Sequence, residues 1–188
     1  KGDAIAMCNY GLMLQDGDGI PVDKKGAARY FKMAIEKGDT DAMYNYGCML
    51  QRGDGIPVNK KEATRYYKMA IEKGDTDAMC NYGLMLQVGD GIPADKKEAV
   101  KYYKMAIEKG DDIAMINYGL MLQEGDGIPV DKKEAAKYYK MAIEKGNDIA
   151  MCNYGIMLQD GDGIPVDKKE AVKYYKMAIE KGNSNAMI

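Results

Sequence analysis

The side chains best suited to chemistry in this 188-residue chain are its carboxylates, its four cysteines and a spaced series of asparagines, because histidine and tryptophan are absent. Without histidine there is no Ser/His/Asp triad, no Cys/His dyad and no His-based metal site. Asp16-Gly17-Asp18-Gly19 matches the opening of a calcium loop. Corresponding segments, however, put Arg52, Val88 and Glu124 where the first aspartate belongs, and the closing glutamate is missing. Helix breaking and loop capping account for Asp18, Asp54, Asp90, Asp126 and Asp162, so neither a metal nor a cofactor is expected. Cys8, Cys80 and Cys152 lie 72 residues apart at one equivalent position. Stacked units would hold them beyond the roughly 7 Å Cα separation that a disulfide can bridge. Free thiols fit a reducing cytosol, and the sequence shows neither a signal peptide nor a membrane-length apolar run. The expected location is cytoplasmic, with Lys1 leaving room for a missing true N-terminus.

What must position these groups is an internal repeat. Gly2, Gly38, Gly74, Gly110, Gly146 and Gly182 are each 36 residues apart. The chain is therefore expected to be a single array with units at about 2–37, 38–73, 74–109, 110–145 and 146–181, and a partial unit at 182–188. Of the 36 positions, 24 are identical in all five complete copies, which separates what every unit must do from what each can do differently.

Each unit reads as two helices. In the second copy, Asn59 followed by Glu62 predicts a capping box, repeated by Asp95/Glu98, Asp131/Glu134 and Asp167/Glu170. The first copy keeps the cap, Asp23, but has Gly26 in place of the glutamate. Ala63, Tyr66, Tyr67, Ala70 and Ile71 then form an apolar face at helical spacing, and Gly74 predicts a left-handed stop. A first helix is expected from about Asp41 to Gln51, entered through Asp39 and Thr40. Ala42, Met43, Tyr46 and Leu50 share one side of it, with Gly47 at the edge permitting close helix contact. Gly53-Asp54-Gly55-Ile56-Pro57 ends that helix. Hairpins this short are marginal alone, so stacking must supply the missing burial.

The pattern carried by Ala150, Tyr154, Gly155, Leu158, Gly161, Gly163, Ile164, Asp167, Ala171, Tyr174, Ala178 and Gly182 resembles the Sel1-like repeat, a relative of the tetratricopeptide repeat. The resemblance implies an all-α fold: a right-handed alpha-alpha superhelical solenoid of 36-residue helix-loop-helix repeats, with first helices lining its concave side. It also implies a non-catalytic scaffold, adaptor or substrate receptor. A secreted cysteine-rich subgroup of the family staples the two helices of a repeat, whereas no second helix here contains cysteine.

Variation on the first helix concentrates at the fourth, seventh, eleventh and fifteenth positions of the unit, one stripe roughly opposite the core face. It reads Ile5-Cys8-Leu12-Asp16, Asp41-Tyr44-Cys48-Arg52, Asp77-Cys80-Leu84-Val88, Ile113-Ile116-Leu120-Glu124 and Ile149-Cys152-Ile156-Asp160. Such a surface marks an interaction site or, alternatively, packing between adjacent first helices, since large Tyr44 is paired with small Cys48 as if volume were balanced. The expected partner-binding residues are Tyr44, Arg52, Leu84, Val88, Ile116, Leu120, Glu124 and Ile156, flanked by the invariant Asn9, Asn45, Asn81, Asn117 and Asn153. Asparagine is a poor mid-helix residue. Five retained copies suggest an amide ladder gripping a peptide backbone, as a first-helix asparagine does in the related tetratricopeptide family, or hydrogen bonds to the neighbouring repeat.

The sixteen methionines read mainly as gap fillers, with Met43 and Met69 near the core and the Met33 to Met177 series at a rim. The paired lysines, Lys24-Lys25 through Lys168-Lys169, read as a solvated face. With 27 basic against 29 acidic residues mixed along the chain, no nucleic-acid partner is expected, and no pentatricopeptide-type RNA reading. No membrane partner is expected either. The functional expectation is a binding module for a protein or peptide ligand and not an enzyme, since no unique carboxylate cluster stands out. The alternative is a structural segment that self-assembles end to end, suggested by the uncapped Ala186-Met187-Ile188.

Overall fold

The computed structural model describes residues 3–182, which form α-helices and connecting turns with no strand among them. Gly2, Met187 and the terminal Ala186-Met187-Ile188 lie outside the described residues. The chain divides into two compact units, Lys1–Ala94 and Asp95–Ile188. The first holds α1 (Ala4–Asp16), α2 (Lys24–Ile35), α3 (Thr40–Arg52), α4 (Lys60–Glu72) and α5 (Thr76–Val88). The second holds α6 (Lys96–Glu108), α7 (Asp112–Glu124), α8 (Lys132–Glu144), α9 (Asp148–Asp160) and α10 (Lys168–Lys181). Within each unit every helix packs on its neighbours in sequence.

The helix boundaries follow from local capping. Asp39 caps α3, its carboxylate accepting from the Ala42 N–H at 2.8 Å, while Thr40 is already the first helical residue. Asn59 caps α4 by accepting from the Glu62 N–H at 3.0 Å. The second half of the expected capping box is rearranged: the Asn59 side-chain amide donates to the Glu62 carboxylate at 3.0 Å, and the Asn59 backbone N–H donates to the Leu50 carbonyl at 2.8 Å. Asp23, Asp131 and Asp167 make the same bond to Leu14, Leu122 and Leu158. That donor ties the start of each second helix to the first helix of its own hairpin, so the cap glutamate has no backbone donor to reach. At the other end, the Ala70 carbonyl accepts from the Asp75 N–H and the Ile71 carbonyl from the Gly74 N–H, a Schellman closure that requires Gly74 at φ +92°.

Inside a hairpin the apolar faces meet as their spacing requires. Ala42, Met43, Tyr46 and Leu50 of α3 and Ala63, Tyr66, Tyr67 and Ala70 of α4 are buried; Tyr46 and Tyr66 stack edge to face with centroids 4.9 Å apart. Gly47 is obligatory because a Cβ there would lie 2.8 Å from the Tyr67 ring. Met49, which sequence reading did not single out, is fully buried together with Met85, Met121 and Met157. Met69 is half-buried, and Met33, Met105, Met141 and Met177 of the same series are exposed.

Between hairpins the contact is a repeated joint. Lys24 of α2 pairs with Asp54 in the loop after α3, and the second Asp54 carboxylate oxygen accepts from the Gln15 side chain at 2.8 Å. Lys60 pairs with Asp90, Lys96 with Asp126 and Lys132 with Asp162. Lys24, Lys60, Lys96 and Lys132 are thus inter-repeat partners rather than part of a solvated face, and the loop aspartate does more than end a helix. Sterics reinforce the pairing. A Cβ on Gly55 would sit 2.2 Å from Lys24 Cβ, and Gly91, Gly127 and Gly163 approach Lys60, Lys96 and Lys132 as closely. Lys32 lies 5.2 Å from the centre of the Tyr46 ring, adding a cation–π contact across the same junction.

Gly19 and Gly55 share φ +71°, but nothing lies within 4 Å of a Cβ on Gly19. Both alanine substitutions therefore carry the same backbone strain, and Gly55→Ala should cost about 1–3 kcal/mol more in urea unfolding because it also overpacks the joint. Equal losses would refute the close approach. The joint also has a pH signature. The lysine ammonium, with help from the glutamine amide, holds Asp54, Asp90 and Asp162 below the ordinary carboxylate range. Their stabilisation is present above the unfolded value of about 4 and is lost as pH falls through the depressed folded value. Asp75 works in the opposite direction, since burial raises its carboxyl. Asp162→Asn should therefore lower stability near neutral pH and flatten the acid limb of the stability profile; an unchanged acid limb would contradict this assignment.

Candidate functional site

The variable stripe divides by position. At the seventh position, Cys8, Cys80, Ile116 and Cys152 are buried, and Tyr44 is half-buried. Ile116, at 4% exposure, belongs to the packing and offers a partner nothing, which corrects its expected role at the surface. At the eleventh and fifteenth positions the side chains reach solvent: Leu84 is 42%, Val88 64% and Ile156 46% exposed. Arg52 and Glu124 are also exposed, and Leu120 is half-buried. The stripe is therefore packed at its seventh position and open to solvent at its eleventh and fifteenth, on different turns of the same helix.

Burial disfavours the thiolate at Cys8 and Cys152. Burial, reinforced by the Asp39 charge, pushes the Cys8 thiol up to about 12, and burial raises Cys152 as well. All four cysteines are free. Among the described residues no group of three or more Cys, Asp or Glu side chains is placed to hold a metal ion, and no helix is long and apolar enough to cross a membrane.

The asparagines do not form a uniform ladder. Asn9 is exposed, and the other four are half-buried. The Asn81 amide donates to the Tyr44 hydroxyl at 3.2 Å, a bond to the preceding repeat. The Asn45 amide donates to the Asp41 carbonyl of its own helix at 2.9 Å. The inter-repeat partner of Asn81 lies 37 residues earlier. For Asn153 that residue is Ile116, which has no polar group, and no described residue hydrogen bonds to the Asn153 side chain. Asn117 takes part in an interaction of its own.

Asn153 lines a cleft of about 380 Å³ in the second unit, together with Leu120, Gln123, Glu124, Lys132, Ile156 and Asp162. Four of the sequence-predicted residues, Leu120, Glu124, Asn153 and Ile156, are thus brought together. Helical geometry explains the grouping: Leu120 and Glu124 are four apart on α7, Asn153 and Ile156 three apart on α9. Sequence reading missed the polar floor. Tyr139 donates to the Gln123 side-chain oxygen at 2.9 Å, the Gln123 amide donates to Asp162 at 2.8 Å, and Lys132 pairs with the same carboxylate. The signal that could have revealed it is the strict recurrence of the glutamine, lysine and aspartate in all five copies.

Charge is also sorted by helix. First helices α7 and α9 carry Asp112, Glu124, Asp148 and Asp160 and no lysine or arginine, whereas α8 carries Lys132, Lys133, Lys137 and Lys140 beside Glu134 and Glu144. Within the unit α7 and α9 are thus acidic and α8 is net basic.

Among proteins of known structure, the chain is similar to a Sel1 repeat protein from Oxalobacter formigenes, with 33% identity and a TM-score of 0.92 over 98% of this chain and 76% of that one. It is similar to c5321, a protective antigen present in uropathogenic Escherichia coli strains and displaying an SLR fold, with 27% identity and a TM-score of 0.86; the match covers 97% of this chain but only 39% of that one. The likeness to immunity protein Pa5087 from Pseudomonas aeruginosa, with 18% identity and a TM-score of 0.70 over 99% of this chain and 69% of that one, is one of fold. No curated protein matches the chain in sequence. Sel1 repeat proteins generally mediate protein–protein interaction, and their scaffold is generally non-catalytic. The Sel1 repeat model matches residues 4–39, 40–75, 76–111, 112–147 and 148–183. With ten helices among its described residues, set in 36-residue repeats, this chain belongs to the Sel1 repeat family.

Proposed function

We propose that this chain is a non-catalytic scaffold that captures a protein or peptide on the face presented by its first helices. One observation carries the reading: at the eleventh and fifteenth positions of the unit, where otherwise near-identical repeats differ, large apolar side chains stand in solvent. Leu84 and Val88 do so on α5, and Ile156 on α9. Exposed apolar groups rimmed by charge are the usual mark of a docking surface, while the joint residues that hold the stack together are invariant. Arg52 and Glu124 extend the surface with opposite charges at the same turn of different repeats, giving each stretch of the face its own selectivity. The asparagines contribute unequally, with Asn153 available to a ligand, Asn81 engaged with the preceding repeat and Asn45 with the backbone of its own helix. A reducing compartment suits the four free thiols.

The end-to-end assembly considered from the sequence rests on Ala186-Met187-Ile188, and no described residue favours it. The test uses exposed positions. Leu84→Asp combined with Ile156→Asp should leave helicity and the unfolding midpoint essentially unchanged, yet reduce retention of the native partner on an affinity column at least about tenfold, a loss of roughly 1.4 kcal/mol. Undiminished retention by the folded double variant would reject the first-helix face. Tyr44 is unsuitable for this purpose because its hydroxyl bonds Asn81.

A further inference from the structure

Resting on that reading, we infer that the cleft between α7 and α9 takes a peptide segment in which an apolar side chain lies close to a lysine or arginine. The apolar component comes from Leu120 and Ile156, which face the cleft from separate helices and would close on one aliphatic or aromatic side chain. The charge preference follows from which ionic groups are already engaged. Lys132 and Asp162 also line the cleft but neutralise each other, and the Gln123 amide holds the second Asp162 oxygen. Glu124 has no such partner among the described residues and stands exposed at the rim. Two carboxylates and one ammonium leave the lining at a net charge of −1. Neither α7 nor α9 supplies a cation to offset it, since their remaining charged residues are Asp112, Asp148 and Asp160. An acidic segment would meet Glu124 without a compensating ammonium; a basic one completes the pair.

The third element is the Asn153 amide. It offers a donor and an acceptor to a passing peptide group, and it is free because Ile116 stands where Tyr44 occupies the corresponding place in the first unit. There Asn81 is tied to the Tyr44 hydroxyl and Arg52 replaces Glu124, so the two equivalent places have opposite charge preferences. Apolar walls, one free amide and one free carboxylate thus specify an aliphatic anchor, a main-chain contact and a cation.

The test is fluorescence anisotropy on the full chain, with three labelled peptides of equal length that share the same leucines and carry lysine, glutamine or glutamate elsewhere. The lysine peptide should bind tightest, and its advantage should shrink as salt is raised. Glu124→Gln should cut its affinity about two- to fivefold, as loss of a partly exposed ion pair does, while leaving the glutamine peptide unchanged. Ile156→Asp should weaken the glutamine peptide strongly. Binding that is lost in Ile156→Asp but shows no preference for lysine, or favours glutamate, overturns this inference and leaves the scaffold reading intact. Binding of all three peptides that is indifferent to Ile156→Asp overturns the cleft assignment and counts against the first-helix face as well. Failure of all three to bind also overturns the inference, and partner retention by the Leu84/Ile156 double variant then judges the scaffold reading separately.

Discussion

The structure depends on one constraint: the loop after each first helix must sit against the opening turn of the preceding second helix. At that point Gly55 has no room for a side chain beside Lys24, and Asp54 accepts from both Lys24 and Gln15. The individual ion pairs are half-exposed, so each contributes about 1 kcal/mol or less. Their significance is positional. A glycine that cannot retreat, a carboxylate held by two donors and a lysine pinned at a helix N-terminus together leave little freedom in how one hairpin meets the next within a unit. Tyr67 of α4 and Tyr139 of α8 extend the restraint inward, since they bond the same glutamines that reach the next aspartate.

That rigidity allows small substitutions elsewhere to have local consequences. Exchanging Tyr44 for the apolar Ile116 at one repeat position does not disturb the helices, which keep the same length and caps. It changes the fate of the asparagine one repeat later, which is bonded in Asn81 and free in Asn153. Exchanging Arg52 for Glu124 reverses the charge at the rim. A scaffold whose joints are identical can therefore carry recognition features that differ from repeat to repeat.

Much of this was legible in the sequence. The period, the caps at Asp39 and Asn59, the close packing at Gly47 and the core face of Tyr46, Tyr66 and Tyr67 follow from spacing and local chemistry, because each is settled by residues within one hairpin. The joint was not legible, since it links residues 30 and 39 apart whose side chains have ordinary surface explanations when read singly. Lys24 looked solvated and Asp54 looked like a helix breaker. The capping boxes were half right for a related reason: the backbone N–H of Asn59 had a competing acceptor in Leu50 that no local pattern reveals. The variable stripe was found by periodicity, but its division into buried and exposed turns depends on how deeply neighbouring helices embed it. That is why Ile116 falls on the packing side and Ile156 on the open side.

The central claim, that a specific side-chain joint rather than general apolar stacking fixes one hairpin on the next, is tested most directly by a double-mutant cycle between Lys60 and Asp90, read by equilibrium unfolding at low and high salt. The account predicts that Lys60→Met and Asp90→Asn are non-additive, with a coupling of about 0.5–1 kcal/mol at low salt that declines as salt screens the pair. Strictly additive losses at low salt would show that the two side chains act independently and would contradict the account.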